Sequence, residues 1–130
     1  MPSSCESEAA RVAALRALQI LDTPRQDCFE RITKFCTELF DCPVALISLV
    51  DSDRQWFKSR IGVDEQETPR EVAFWSHAIL DPGQVMVVED LQFDPRFSSN
   101  PYVAGPAGLR FYAGAPIVTH DGFALGTVCV

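Results

Sequence analysis

The chain has 130 residues, 47% apolar and 22% charged, with a net charge of −7, enough for one folded domain that buries roughly two-thirds of its unfolded surface. The acidic balance argues against a nucleic-acid binder, which needs a basic face, and against docking on anionic lipid. No apolar run approaches the roughly 20 residues that span a bilayer, and the N-terminus MPSSCESEAARV lacks the basic flank and apolar core of a secretory signal, so a cytoplasmic location is expected.

Three helix starts carry capping-box spacing: Ser3 with Glu6, Thr23 with Gln26, and Thr68 with Glu71. In the last two, Pro24 and Pro69 stand at the first helical position. The first helix, 6–21, presents Ala14, Leu18 and Leu21 on one stripe, with Val12 and Leu15 beside it. The second, 24–40, places Cys28, Phe29, Ile32, Phe35, Cys36 and Leu39 at the 3.6-residue period, which predicts that this face is core. The continuous apolar run 43–50 (PVALISLV) predicts a central strand. A polar turn at Asp51-Ser52-Asp53 leads into 54–60, a more exposed partner strand. Residues 69–80 (PREVAFWSHAIL) read as a helix apolar nearly all round, buried on several sides or lining something. A short strand follows at 85–89.

The segment 94–108 is a long loop opened by Asp94-Pro95, the kind of segment that carries binding sites. In it Asp94 reads as a cap, Phe97 as an anchor into the core and Arg96 as an outward or pairing charge. The next strand, 109–118, contains Pro116 and so is placed at an edge or bulge there. His120-Asp121-Gly122 predicts a type I′ hairpin, and 124–130 is the returning strand. That strand reaches the end of the chain without a polar tail or cap, so a piece cut from a longer polypeptide is expected. Tight hairpins with packed helices and no βαβ pattern give an α+β class with an antiparallel sheet.

Several groups could carry chemistry. Phe74, Trp75 and His77 on helix 69–80 either contact a small ligand or are core residues. Arg110 and Tyr112 share a strand face and could hold an anionic or cyclic ligand through charge-assisted hydrogen bonds. Alternatively, Arg110 pairs with Asp94 or Glu89 and fastens the loop. The carboxylates Asp51, Asp53, Asp64, Glu65 and Glu67 fall in turns, where no catalytic pair is expected. The G-P-A-G at 105–108 lacks the strand-to-helix context of a phosphate loop. Only His77 and His120 are present, too few for a histidine metal set. Five scattered cysteines (Cys5, Cys28, Cys36, Cys42, Cys129) show no C-x-x-C spacing, so free thiols are expected. A redox role for Cys36, Cys42 or Cys129 would need a positive setting that the neighbouring sequence does not supply.

The ordered segments ALRALQILDTP, DCPVALISLVDSDRQWFKSRIG, ETPREVAFWSHAI and VVEDLQFDPRFSSNPYVAGPAGLRFYAGAPIVTHDGFALGTVCV resemble a GAF domain. Such domains open many bacterial sensor histidine kinases and diguanylate cyclases. The resemblance covers residues 8–130. It implies a GAF/PAS-like α+β fold: an antiparallel sheet of five or six strands, helices on one face, and on the other a pocket capped by helix 69–80 and loop 90–108. Residues 1–130 would form a single domain, with 1–22 as an N-terminal helix and the family's long C-terminal helix absent. The implied role is a non-enzymatic sensory module without a cofactor. It would bind an unidentified small molecule, with Phe74, Trp75, His77, Phe97, Arg110 and Tyr112 as pocket candidates. It would relay a signal to a covalently linked output domain of histidine kinase or GGDEF type, within a homodimer. The other reading is a structural dimerisation module whose pocket is filled by its own rings, Phe111 among them. Chromophore-binding relatives carry a Cys beside a His; Ser76 precedes His77 here and cannot form a thioether to a bilin. The Asn-Lys/Phe/Asp-Glu constellation of the cyclic-nucleotide members is not traced. A GAF-fold family that reduces free methionine sulfoxide uses several pocket cysteines, and this chain has none in its 80–120 region.

Overall fold

The computed structural model describes residues 4–70, 79, 83–105 and 108–130, with side chains from residue 8 onward. Two helices, α1 (Ser4–Ala17) and α2 (Asp27–Phe40), precede the strands β1 (Ala45–Val50), β2 (Arg54–Ile61), β3 (Glu67–Pro69) and β4 (Met86–Val88). A short helix α3 (Pro101–Ala104) and the hairpin β5 (Tyr112–Val118) and β6 (Ala124–Cys129) complete the order. The strands form one antiparallel sheet in the order β3-β2-β1-β6-β5-β4. The apolar run PVALISLV supplies its centre, and all of β1 is buried, as a strand covered on both faces requires.

Two irregularities decide which side chains face which way. Along β1, Leu46, Ser48 and Val50 share one face and Ile47 and Leu49 the other. The β1–β2 register passes from Ile47↔Ser59 to Ser48↔Phe57, so Lys58 is an extra residue in β2. Lys58 and Ser59 consequently both meet the helical side. Lys58 Nζ donates to Thr23 Oγ1 and to the Pro24 carbonyl, each at 2.7 Å, and lies 5.4 Å from the Phe29 ring centre. Ser59 Oγ and Thr33 Oγ1 of α2 are 2.7 Å apart. In β6 the register steps from Ile117↔Gly126 to Val118↔Ala124, and the skipped Leu125 joins Leu15, Leu49 and Trp56 under α1.

The helices depart from expectation in instructive ways. The first ends at Ala17 rather than 21, because the chain turns through Gln19 (φ 53°) and Asp22 (φ 61°). It docks through Arg11, Val12 and Leu15, while Leu18 is exposed. Arg11 Nη1 donates to the Val50 carbonyl at 2.6 Å, and its other nitrogens hold Glu8. The capping box at Thr23 does not form: its hydroxyl donates to the Ile20 carbonyl and accepts from Lys58. The cap of α2 is Gln26, without a side-chain bond. The apolar stripe of α2 is not core. Ile32, Phe35 and Leu39 are exposed, and the buried residue is Thr33, because the helix rests on β1 and β2 through its other side. Beside it, over β5 and the end of β6, lies a groove of about 460 Å³ lined by Phe40, Val85, Phe111, Ala113, Ala115 and Val128.

Thr68 also fails as a cap: it sits in β3, paired with Gln55. Ser3, Glu71 and the ring-rich stretch with Phe74, Trp75, Ser76 and His77 lie outside the described residues. The second strand, expected to be more exposed, is buried from Gln55 to Ser59, since β1, β3 and α2 enclose it. Asp51 is likewise no exposed turn residue. It is buried and accepts from Arg16 and Arg54. Pro116 sits where expected, because β4 pairs β5 only at Tyr112, Ala113 and Gly114 and leaves that side open at Pro116. The β5–β6 turn is not type I′. The Gly122 N–H donates to the Thr119 carbonyl and only Gly122 (φ 91°) is left-handed, the geometry of a type I turn followed by a glycine bulge.

Candidate functional site

The face of the sheet opposite α1 and α2 is roofed by residues 89–105 and 108–111. Three Asx residues shape it, each taking a backbone N–H two residues on: Asp90 from Gln92, Asp94 from Arg96 and Asn100 from Tyr102. The last caps α3, with Pro101 at its first position. These turns press Leu91, Phe97 and Val103 onto Leu46, Phe57, Val88, Tyr112 and Cys129. Arg96 pairs with Asp94 at 2.7 Å and lies over the Phe97 ring.

Beneath the roof a row of polar side chains crosses four neighbouring strands. Gln55 Nε2 donates to Ser48 Oγ at 2.7 Å, and Ser48 Oγ lies 2.9 Å from Thr127 Oγ1. All three are fully buried, and Thr68, the register partner of Gln55, is 2% exposed. The Thr68 Oγ1 and Gln55 Oε1 atoms are buried without a hydrogen-bond partner, an arrangement that costs about 1–3 kcal/mol per group.

Thr68 forms part of the wall of a cavity of about 390 Å³, the size of a small-molecule site. Leu46, Val63, Tyr102, Leu109, Tyr112 and Cys129 line it, and Asp64 and Glu65 stand at its exposed mouth. Burial pushes the Tyr112 phenol well above its ordinary value, and the hydroxyl lies against Thr127 and Cys129. Burial likewise pushes the Cys129 thiol up to about 12. Both groups are therefore neutral at physiological pH. Tyr102 is raised too, first by burial and then by the charge of Glu65. The Tyr112 hydroxyl lies along its own strand over Gly114, where a Cβ would stand 2.2 Å from it.

The residues singled out from sequence separate here. Tyr112 lines the cavity, whereas Phe97 is a core wedge, 1% exposed. Arg110 is exposed and does not share a ligand-facing surface with Tyr112. Its Nη1 donates to the carbonyls of Val103 at 2.9 Å and Leu109 at 3.0 Å, rather than to Asp94 or Glu89. It ties the loop through backbone carbonyls and not through the expected ion pair. The sequence reading missed Thr68, Gln55, Ser48 and Thr127. The available signal was a polar residue interrupting each of the apolar runs ALISLV and ALGTVC. Among the described residues no His/Cys/Asp/Glu cluster could hold a metal ion, and no helix is long and apolar enough to cross a membrane.

An open antiparallel sheet with helices on one face and a roofed cavity on the other is the architecture of the GAF domains. The GAF domain family profile matches residues 24–130, and the chain belongs to this family of regulatory signalling modules. It is 45% identical over 129 residues to cyclic di-GMP phosphodiesterase PA2567 of Pseudomonas aeruginosa. That match covers 99% of this chain and 22% of the relative, so the chain corresponds to a minor part of that protein. The GAF domain of an Acinetobacter phosphoenolpyruvate-protein phosphotransferase superimposes with a TM-score of 0.60 at 12% identity, covering 100% of this chain and 77% of that one. A type II free methionine-R-sulfoxide reductase from Thermoplasma acidophilum gives 0.59 at 11% identity, covering 95% and 74%. At such identities the likeness is one of fold.

Proposed function

We propose that residues 1–130 form a single GAF sensory module that binds a small molecule under the roof formed by residues 89–105 and 108–111 and relays its occupancy to a covalently linked output domain. The observation that carries this reading is the 390 Å³ cavity with the buried, unpartnered Thr68 hydroxyl in its wall. The name of the 45% identical relative supports an output that turns over cyclic di-GMP rather than a histidine kinase. The module itself is read as non-catalytic and cytoplasmic. Free Cys28, Cys36, Cys42 and Cys129 fit a reducing compartment, and a reductase nucleophile would need a thiol far easier to ionise than Cys129.

Native mass spectrometry of the freshly purified domain, with its absorption spectrum, tests the reading. A co-purifying small mass that is lost on denaturation is expected. A bare polypeptide that also fails to bind any compound in the screen described below would leave only the structural role.

A homodimer is the second element of the proposal. The exposed Ile32, Phe35 and Leu39 stripe on α2 beside the groove over β5 supports it, since contiguous apolar surface on a soluble domain marks an interface. Light scattering coupled to size exclusion checks it: a monomer at all concentrations for both wild type and Phe35→Glu would remove it.

A further inference from the structure

The chemistry of the cavity wall restricts what it accepts. Apart from Asp64 and Glu65 at the mouth, the polar side chains that line it among the described residues are those of Thr68, Tyr102, Tyr112 and Cys129, all uncharged, set among Leu46, Val63 and Leu109. Neither Arg60 nor Arg110 lines the cavity: Arg60 Nε donates to the Val63 carbonyl at 3.1 Å, and Arg110 Nη1 holds two carbonyls of the roof. Asp64 and Glu65 are exposed at the mouth, in water. An ion drawn past Asp64 and Glu65 into the inner part of this space would lose its hydration with no opposite charge among the described inner residues to replace it. A neutral molecule with one hydrogen-bonding group would satisfy Thr68 Oγ1 and bury its apolar body against the aliphatic wall.

Resting on the ligand-binding reading above, we propose that the domain's ligand is an uncharged, largely apolar small molecule carrying a hydroxyl, amide or carbonyl group that bonds to Thr68. Carboxylates, phosphates and ammonium compounds are rejected.

The test uses size-matched triplets of alcohol, amine and carboxylate on three scaffolds: tryptophol, tryptamine and indole-3-acetate; 2-phenylethanol, 2-phenylethylamine and phenylacetate; and octanol, octylamine and octanoate. Binding is read from backbone amide shifts of Leu46, Thr68 and Tyr112 in the isotope-labelled domain. In at least one triplet the alcohol is expected to bind about tenfold or more tightly than both ions of its set. Thr68→Val keeps the shape and removes the hydroxyl, and should weaken the alcohol roughly fivefold while the melting temperature holds or rises. If a carboxylate or amine binds these residues as tightly as its alcohol, or if Thr68→Val leaves alcohol affinity unchanged, the ligand class is wrong although the cavity remains a binding site. If no member of any triplet perturbs these amides at millimolar concentration, the cavity is not a ligand site and the sensory reading falls with it.

Discussion

Arg54 and Asp22, 32 positions apart, are joined by two parallel hydrogen bonds of 2.8 Å, from Nη1 to Oδ1 and from Nη2 to Oδ2. The same guanidinium donates from Nε to Asp51 at 3.2 Å and from Nη1 to Glu67 at 2.9 Å. One side chain thus ties the linker after α1, the β1–β2 turn and β3 together. Arg54→Ala is expected to cost about 1–2 kcal/mol in urea unfolding, more than an isolated surface pair because several carboxylates lose one partner. Arg54→Lys should recover little, since an ammonium cannot reproduce the fork. An unchanged urea midpoint for Arg54→Ala would show that the network is ornamental.

Acid should loosen the attachment of α1. Hydrogen bonding to Arg11, then to Arg70, holds Glu8 at about 2 against an ordinary 4.5. Asp51 and Asp22 are also lowered. A carboxylate whose folded value is depressed contributes stability above its unfolded value and loses it as pH falls towards its folded value. Thermal melting should therefore be flat from pH 7 to about 5 and decline between about 4.5 and 2. Glu8→Gln should make that decline shallower. An identical profile for Glu8→Gln would assign the acid lability elsewhere.

Two glycines should fail for different reasons. A Cβ at Gly126 would stand 1.8 Å from the Ser48 carbonyl oxygen of the adjacent strand. Gly126→Ala must spread the central β1–β6 pair, at a cost of about 3 kcal/mol or more. Gly122 has nothing within 4 Å of such a Cβ but holds φ 91°, so Gly122→Ala should cost only about 1 kcal/mol. Denaturant unfolding that ranks them the other way would contradict the β6 register described here.

The thiols should separate in reactivity. Cys28 is exposed, whereas Cys129 is buried with its thiol pushed up to about 12. Iodoacetamide labelling at pH 8, mapped by peptide mass, should modify Cys28 on the order of 100-fold faster than Cys129. Comparable rates would mean that β6 opens readily.

Much of the fold is legible from sequence because its signals are local. The run PVALISLV predicts the central strand, Pro116 marks the place where β5 loses a neighbour, and the DPRF segment reports its own turn, ion pair and core anchor. Caps were misread where a distant group competes: Lys58 captures the Thr23 hydroxyl, and Gln55 draws Thr68 into strand pairing. Neither can be seen in a four-residue window. The α2 stripe misled because periodicity reports an apolar face without saying what covers it. The cavity wall was the least legible part. Ser48 and Thr127 are small polar residues in apolar runs and Thr68 lies in the polar stretch DEQETPR, and only the strand register reveals that the three hydroxyls share one face of the sheet.

Alternation along β2, interrupted only at the extra residue Lys58, makes the strand a page printed on both sides. Gln55 and Phe57 belong to the cavity side, and Trp56, Lys58 and Ser59 to the helix side. A lineage can therefore rewrite ligand preference by substitutions at alternate positions while its grip on α1 and α2 stays intact. A single-residue deletion in β2 is a different event, because it would exchange the two texts at once.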